Sequence, residues 1–135
     1  MDKVREVVAY KHYFEDFLNA QNAKVQDKVF KIIEAIETLE RVPSNYLKHL
    51  TGTDGIYEAR IKLGSNIWRV FCFFDGDRLV ILLNGFQKKT QKTPKNAIAK
   101  AERLMKEYYQ NKEKWYGNKI LENDKGRSLR KKRNS

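Results

Sequence analysis

At 135 residues the chain has room for one domain with a modest core, and none for a second. With 28 Lys and Arg against 17 Asp and Glu, its formal charge of +11 and pI near 9.7 point to a polyanion or an acidic partner. The single cysteine excludes an internal disulfide framework, and two histidines, His12 and His49, offer no zinc-ligand spacing, so neither metal nor cofactor is expected.

The opening residues MDKVREVVAY have neither a signal-peptide core nor a spanning segment, and a cytoplasmic chain without membrane attachment is expected. Val4 to Tyr10 reads as a short strand. Tyr13, Phe14, Phe17 and Leu18 then recur at helical spacing. Asn22 suits the cap of a second helix whose stripe is Val29, Ile32, Ile33, Ile36 and Leu39, ended before Pro43. The segment from Pro43 to Gly55 is turn-rich.

From Tyr57 to Leu63 the side chains alternate, with Glu58, Arg60 and Lys62 on one face. Gly64-Ser65-Asn66 turns the chain into a β-prone run from Ile67 to Phe74, and Asp75-Gly76-Asp77 turns it again into Arg78 to Phe86. An antiparallel meander follows. Thr93 reads as the N-cap of a last helix, with Pro94 in its first position and a buried stripe of Ile98, Ala101, Leu104, Met105 and Tyr108, running to about Lys112. Trp115 and Tyr116 are expected to pack against the helix end. The expected architecture is α+β, with a small antiparallel sheet on one side and an N-terminal helical hairpin and a C-terminal helix on the other.

Residues 1–116 form the expected domain and 117–135 a basic tail without fixed structure. The tail holds seven basic residues against Glu122 and Asp124, a net +5, and subtracting that from +11 leaves +6 on the body. A basic run such as Arg130 to Arg133 is ordinarily a solvated end.

A period of two assigns the faces of the sheet. If both hairpin loops contain an even number of residues, Glu58, Arg60, Lys62, Arg69, Phe71, Phe73, Val80, Leu82, Asn84 and Phe86 share one face. Tyr57, Ala59, Ile61, Trp68, Val70, Cys72, Phe74, Leu79, Ile81 and Leu83 share the other, which suits burial under helices. An odd loop breaks the assignment. With a two-residue Gly64-Ser65 loop Arg60 lies opposite Arg69, where like charges cost a few tenths to roughly 1 kcal/mol. A bound phosphate relieves that cost, as does an ion pair with Glu58; Lys62 and Lys88 extend the positive ridge and favour the phosphate. Arg69 is expected mid-strand on an open face. Phe86 beside Lys88, Lys89, Lys92 and Lys95 pairs a base-stacking ring with backbone-neutralising cations. The amino end of the last helix adds donors for phosphate. Cys72, among large apolar residues, reads as an inert core thiol, and Asp75 and Asp77 as turn residues.

The ordered set Tyr57-Glu58-Ala59-Arg60-Ile61-Lys62, Trp68-Arg69-Val70-Phe71 and Gly85-Phe86-Gln87-Lys88-Lys89-Thr90-Gln91-Lys92-Thr93-Pro94 resembles the HigB-like branch of the RelE toxin superfamily, in its phage-derived form. The resemblance covers most of residues 4 to 110. It implies the toxin of a toxin–antitoxin pair: a ribosome-dependent, metal-independent mRNA endoribonuclease that inhibits growth and is neutralised by a helix-turn-helix, HigA-like antitoxin. In such a site the 2′-hydroxyl of RNA attacks the adjacent phosphate. Arg60 and Arg69 then stabilise the phosphorane, where loss of one donor typically costs about 10²–10³ in rate. A lysine among cations has its pKa lowered, which makes Lys88, Lys89 or Lys92 the proton acceptor on this reading, and Lys48, His49, Lys62, Asn84, Phe86 and Lys95 the RNA contacts. No histidine follows the last strand, unlike in some relatives, so His49 is the histidine left to move a proton, against the commoner structural role of a lone histidine in a loop before a strand. Two other functions compete: a ParE-like toxin that blocks a protein target without cleaving RNA, and a plain RNA- or ribosome-binding module.

Overall fold

A computed structural model describes residues 2–89 and 93–124, with side chains described through Lys112 in the last helix. The element order is β1 (Glu6–Ala9), α1 (Tyr13–Asn19), α2 (Ala23–Thr38), β2 (Leu47–His49), β3 (Tyr57–Leu63), β4 (Asn66–Phe74), β5 (Leu79–Lys88) and α3 (Lys95–Asp124). The five strands form one sheet in the order β1-β5-β4-β3-β2, and β3, β4 and β5 are the expected meander. β1 joins β5 in parallel and closes one edge, whereas β2, unforeseen in the turn-rich segment, pairs antiparallel with β3 at the other. The fold is α+β with a mostly antiparallel sheet, as the sequence predicts.

The β3–β4 hairpin follows the register expected from its turn. Gly64, at φ +62°, takes the positive-φ first position of a two-residue loop, so Leu63 pairs Asn66 and Arg60 pairs Arg69. The next turn departs from expectation. Phe74 pairs Val80, so the five residues 75–79 form an odd connection, and parity inverts along the first half of β5. The even-loop premise fails there: Val80 and Leu82, expected beside the arginines, enter the opposite core, and Leu79, Ile81 and Leu83 take the arginine face. A β-bulge then restores parity, because Cys72 pairs Leu82 while Val70 pairs Gly85, leaving Phe71 opposite both Leu83 and Asn84.

Helices cover both faces of the sheet, not one. α1 and α2 bury Phe14, Phe17, Leu18, Val29, Ile33 and Ile36 against Ala59, Ile61, Trp68, Val70 and Cys72. α3 lies on the other face and buries Ala101, Leu104 and Tyr108 against Phe71, Phe73, Ile81 and Leu83. The stripe foreseen on α3 is real, but the surface it covers is the part of the arginine face that precedes the bulge along β5, around Ile81 and Leu83.

Local signals account for the helix ends. The Asn22 carboxamide oxygen accepts from the Val25 N–H at 3.0 Å, the expected cap. α2 stops at Thr38, and Leu39 leaves the stripe for extended backbone while Arg5 donates to the carbonyls of Ile36, Leu39 and Glu40. α3 begins at Lys95, with the Pro94 carbonyl accepting from Ala97 and Ile98, so Pro94 takes the place expected of Thr93. The helix continues past Lys112 to Asp124, into the segment expected to be tail; residues 125–135 and the side chains of Trp115 and Tyr116 lie outside what is described. Tyr108 donates to Asp75 at 2.6 Å and Lys112 reaches the same carboxylate at 3.1 Å, so a residue read only as turn former anchors α3 to the β4–β5 turn.

Candidate functional site

Beyond the bulge the arginine face is not covered by the apolar stripe of α3, and the register assembles a cluster of charge there. Lys48 pairs Glu58 across β2–β3, Arg60 pairs Arg69 across β3–β4, Lys62 pairs Ile67, and in β5 Phe86 stands opposite Arg69 and Lys88 opposite Ile67. Lys48, Glu58, Arg60, Lys62, Arg69, Phe86 and Lys88 therefore share one face, drawn from four strands. Lys48 and Lys62 are exposed, and Arg60 and Lys88 are half-buried.

Arg69 is the exception to the expected open ridge: it is only 2% exposed and meets Glu58, itself 7% exposed, with Nη1 3.1 Å from Oε2. The ion pair weighed above against a phosphate site is thus present, and it takes the buried arginine rather than Arg60. Its alignment is poor. Arg69 Nε and Nη1 and Glu58 Oε2 make no hydrogen bond to any described residue, so the pair is a charge contact rather than the bidentate fork a guanidinium can form. Glu58 Oε1 accepts from the Thr93 hydroxyl at 3.4 Å. That link was missed in the sequence, where Thr93 carries the signature of a helix cap.

The field within the cluster follows from burial and neighbours. Burial holds the Arg69 pKa below its ordinary value, with Glu58 opposing and Arg60 adding to the depression. Burial also pushes Lys88 down, followed by Arg69, against Glu58, with smaller contributions from Arg60 and Lys48. Of the lysines proposed as proton acceptor, Lys88 is the one so placed. Lys89 is exposed just past the strand, and Lys92 lies outside the described residues.

The remaining expected contacts divide. Phe86 is half-buried and leans on Phe71 at 5.4 Å, leaving part of its ring beside Arg69. Lys95 is exposed in the first turn of α3. Asn84 is buried in the bulge, where its amide donates to the Ala97 carbonyl at 3.3 Å; this makes it a tether for α3 rather than a surface contact, although its Oδ1 has no described partner. His49 pairs Tyr57 and packs edge-on against its ring at 5.3 Å, on the α1/α2 face, so it stands apart from the cluster. Cys72 is fully buried and its thiol is pushed up to about 12, the inert core position expected.

Chemically, this arrangement suits a tetrahedral anion. Five cations share the face, of which Arg69 is buried with unused donors and Lys88 is an amine of lowered pKa, and an aromatic ring flanks them. Among the described residues no group of three or more His, Cys, Asp or Glu side chains is placed to hold a metal ion, and no helix is long and apolar enough to cross a membrane.

A family model described as "Phage derived protein Gp49-like (DUF891)" matches residues 16–106. No curated protein matches the chain. Among solved structures it is similar to a chain of the archaeal RelE-RelB complex from Pyrococcus horikoshii OT3, at 19% identity and TM-score 0.48, over 64% of this chain and 97% of that one. It is likewise similar to a chain of the RelB-RelE antitoxin-toxin complex from Methanococcus jannaschii, at 19% identity and TM-score 0.46, over 64% and 99%.

Proposed function

Since this chain belongs to the Gp49-like family of phage-derived proteins, we propose that it is the toxin of a toxin–antitoxin pair and acts as an mRNA endoribonuclease on the ribosome. The observation that carries the reading is the cross-strand pair of Arg60 and Arg69 inside a patch that also holds Lys48, Lys62 and Lys88. A sheet selected for stability alone avoids like charges in register. A scissile phosphate resolves the conflict, because its charge grows toward the phosphorane as these donors converge on it.

The mechanism asks three things of the residues. Arg60 and Arg69 hold the phosphate and its developing charge. Lys88, with its lowered pKa, takes the proton of the 2′-hydroxyl as that oxygen attacks the adjacent phosphorus and expels the 5′-oxygen of the next nucleotide. Phe86 offers a ring against which a displaced base stacks, while Lys62, Lys89 and Lys95 neutralise flanking phosphates. The expelled 5′-oxygen takes its proton from solvent water.

A net charge of +11 suits neutralisation by an acidic docking segment, which is the basis for proposing an antitoxin partner; the HigA-like, helix-turn-helix type rests on sequence resemblance alone. The basic residues beyond Asp124 are proposed to add salt-dependent affinity for ribosomal or messenger RNA. A toxin that blocks a protein target has no need of this concentrated cationic site, which favours cleavage over the ParE-like alternative. The test is reconstitution: purified protein, added to ribosomes translating a defined message, should cut that message within codons, and Lys88→Met should slow the cut.

A further inference from the structure

We propose that Glu58 is an internal competitor for the phosphate site: it occupies, on Arg69, the place of a bound phosphate oxygen, and RNA enters by displacing it. This inference rests on the reading of the cationic face as a phosphate site, and it adds a closed state to that site.

Three observations carry it. Arg69 is the one buried cation on that face among the described residues, and its Nε and Nη1 lie without hydrogen bonds although a carboxylate oxygen is 3.1 Å away. Such a donor set is under-used by its present partner, and a phosphate can engage both guanidinium edges in a way this carboxylate does not. Second, Glu58 is held weakly on both sides: Oε2 meets Arg69 without hydrogen-bond geometry, and Oε1 has the Thr93 hydroxyl at 3.4 Å, the outer limit of a hydrogen bond. Among the described residues, displacement therefore breaks two imperfect contacts rather than a cooperative network. Third, the charged neighbours of Glu58 on this face are cations, Lys48 across one strand pair and Arg60 and Lys88 alongside, so in the free protein its charge offsets repulsion that a ligand phosphate would offset in the complex.

The consequence is a split between stability and affinity. Removing the Glu58 charge exposes the free protein to unrelieved repulsion and lowers its stability, yet it removes the closed population and tightens binding. A carboxylate with a purely structural role would lower both.

The full-length chain is titrated with a short fluorescent 2′-O-methyl RNA, which lacks the attacking hydroxyl, and binding is read by anisotropy. If the closed form dominates the free protein, Glu58→Gln binds roughly five- to tenfold tighter, since apparent affinity scales with the competent fraction. Thr93→Val, which loosens the tether and leaves the charge, shifts affinity the same way by less, and it carries the test should Glu58→Gln fold poorly. Glu102→Gln, an exposed carboxylate on α3, controls for simple loss of negative charge. Its smaller gain should fade as salt rises and screening shortens to a few ångströms, while the Glu58→Gln gain persists. Unchanged or weaker binding in both Glu58→Gln and Thr93→Val, or a gain no larger than that of Glu102→Gln, overturns the competitor. Unchanged binding in Arg60→Ala instead overturns the phosphate-site reading on which it rests.

Discussion

Arg60 and Arg69 are direct cross-strand partners, yet they live in different dielectrics: Arg60 is half-exposed, while Arg69 is buried and in contact with Glu58. The asymmetry separates two roles that the sequence pattern joins. Arg60 is available to a ligand without structural consequence. Arg69 is both a ligand donor and part of the internal electrostatics of the sheet.

Substitution of the two arginines should therefore differ in stability while agreeing in function. Arg69→Ala strips the buried Glu58 carboxylate of its ion-pair partner, which costs up to about 3–5 kcal/mol, the remaining cations of the face offsetting part of it. Arg60→Ala removes a like charge from the pair and should stay within about 0.5 kcal/mol of the parent. Adding Glu58→Ala to Arg69→Ala should recover part of the loss, because the two residues are coupled. Urea denaturation of the four proteins checks this, and equal midpoints for the two single arginine variants would contradict the burial asymmetry.

Lys88 should titrate below the ordinary lysine range. Its folded pKa is lowered from 10.5, so between the folded value and 10.5 the unfolded chain binds more protons than the folded one. The burial penalty on its charge is then fully present below the folded pKa, and stability rises with pH through that window. Arg60 lowers the Lys88 pKa and Glu58 raises it; hence Arg60→Ala should move the titration up and Glu58→Gln should move it down. Side-chain nitrogen NMR across alkaline pH reads both shifts. A Lys88 resonance that ignores both substitutions would place it outside the cluster.

Gly85 follows the bulge, and its lack of a side chain is a packing requirement. A Cβ built there falls 2.6 Å from Cγ of the Phe17 ring and 2.8 and 2.9 Å from its two Cδ atoms. Phe17 is buried in the α1/α2 core and cannot easily withdraw, so Gly85→Ala should destabilise by about 1–3 kcal/mol. Phe17→Leu in the same chain should relieve part of that cost, which a double-mutant cycle measures.

How much of this was legible in the sequence differs by element. The Arg60–Arg69 register follows from side-chain alternation and a glycine at the turn, both local signals. The α3 stripe from Ile98 to Tyr108 is likewise local, but periodicity says only that a helix buries a face and not which side of the sheet receives it. The face assignment of β5 was lost to two compensating irregularities, an odd connection at residues 75–79 and a bulge at Leu83 and Asn84, neither of which alters composition. β2 spans three residues, too few for a periodic signal. The depth of Arg69 is set by tertiary packing, which no motif near Arg69 encodes. His49 shared a cationic neighbourhood in the chain with Lys48, but adjacent strand residues point to opposite faces.

Primer extension on cellular mRNA after a brief induction of the chain decides whether the Arg60–Arg69 face cleaves translated message. Cleavage at this face gives discrete new 5′ ends inside translated codons, absent when Arg60→Ala is induced to the same level. Growth arrest with intact transcripts, or identical new ends from Arg60→Ala, would contradict it.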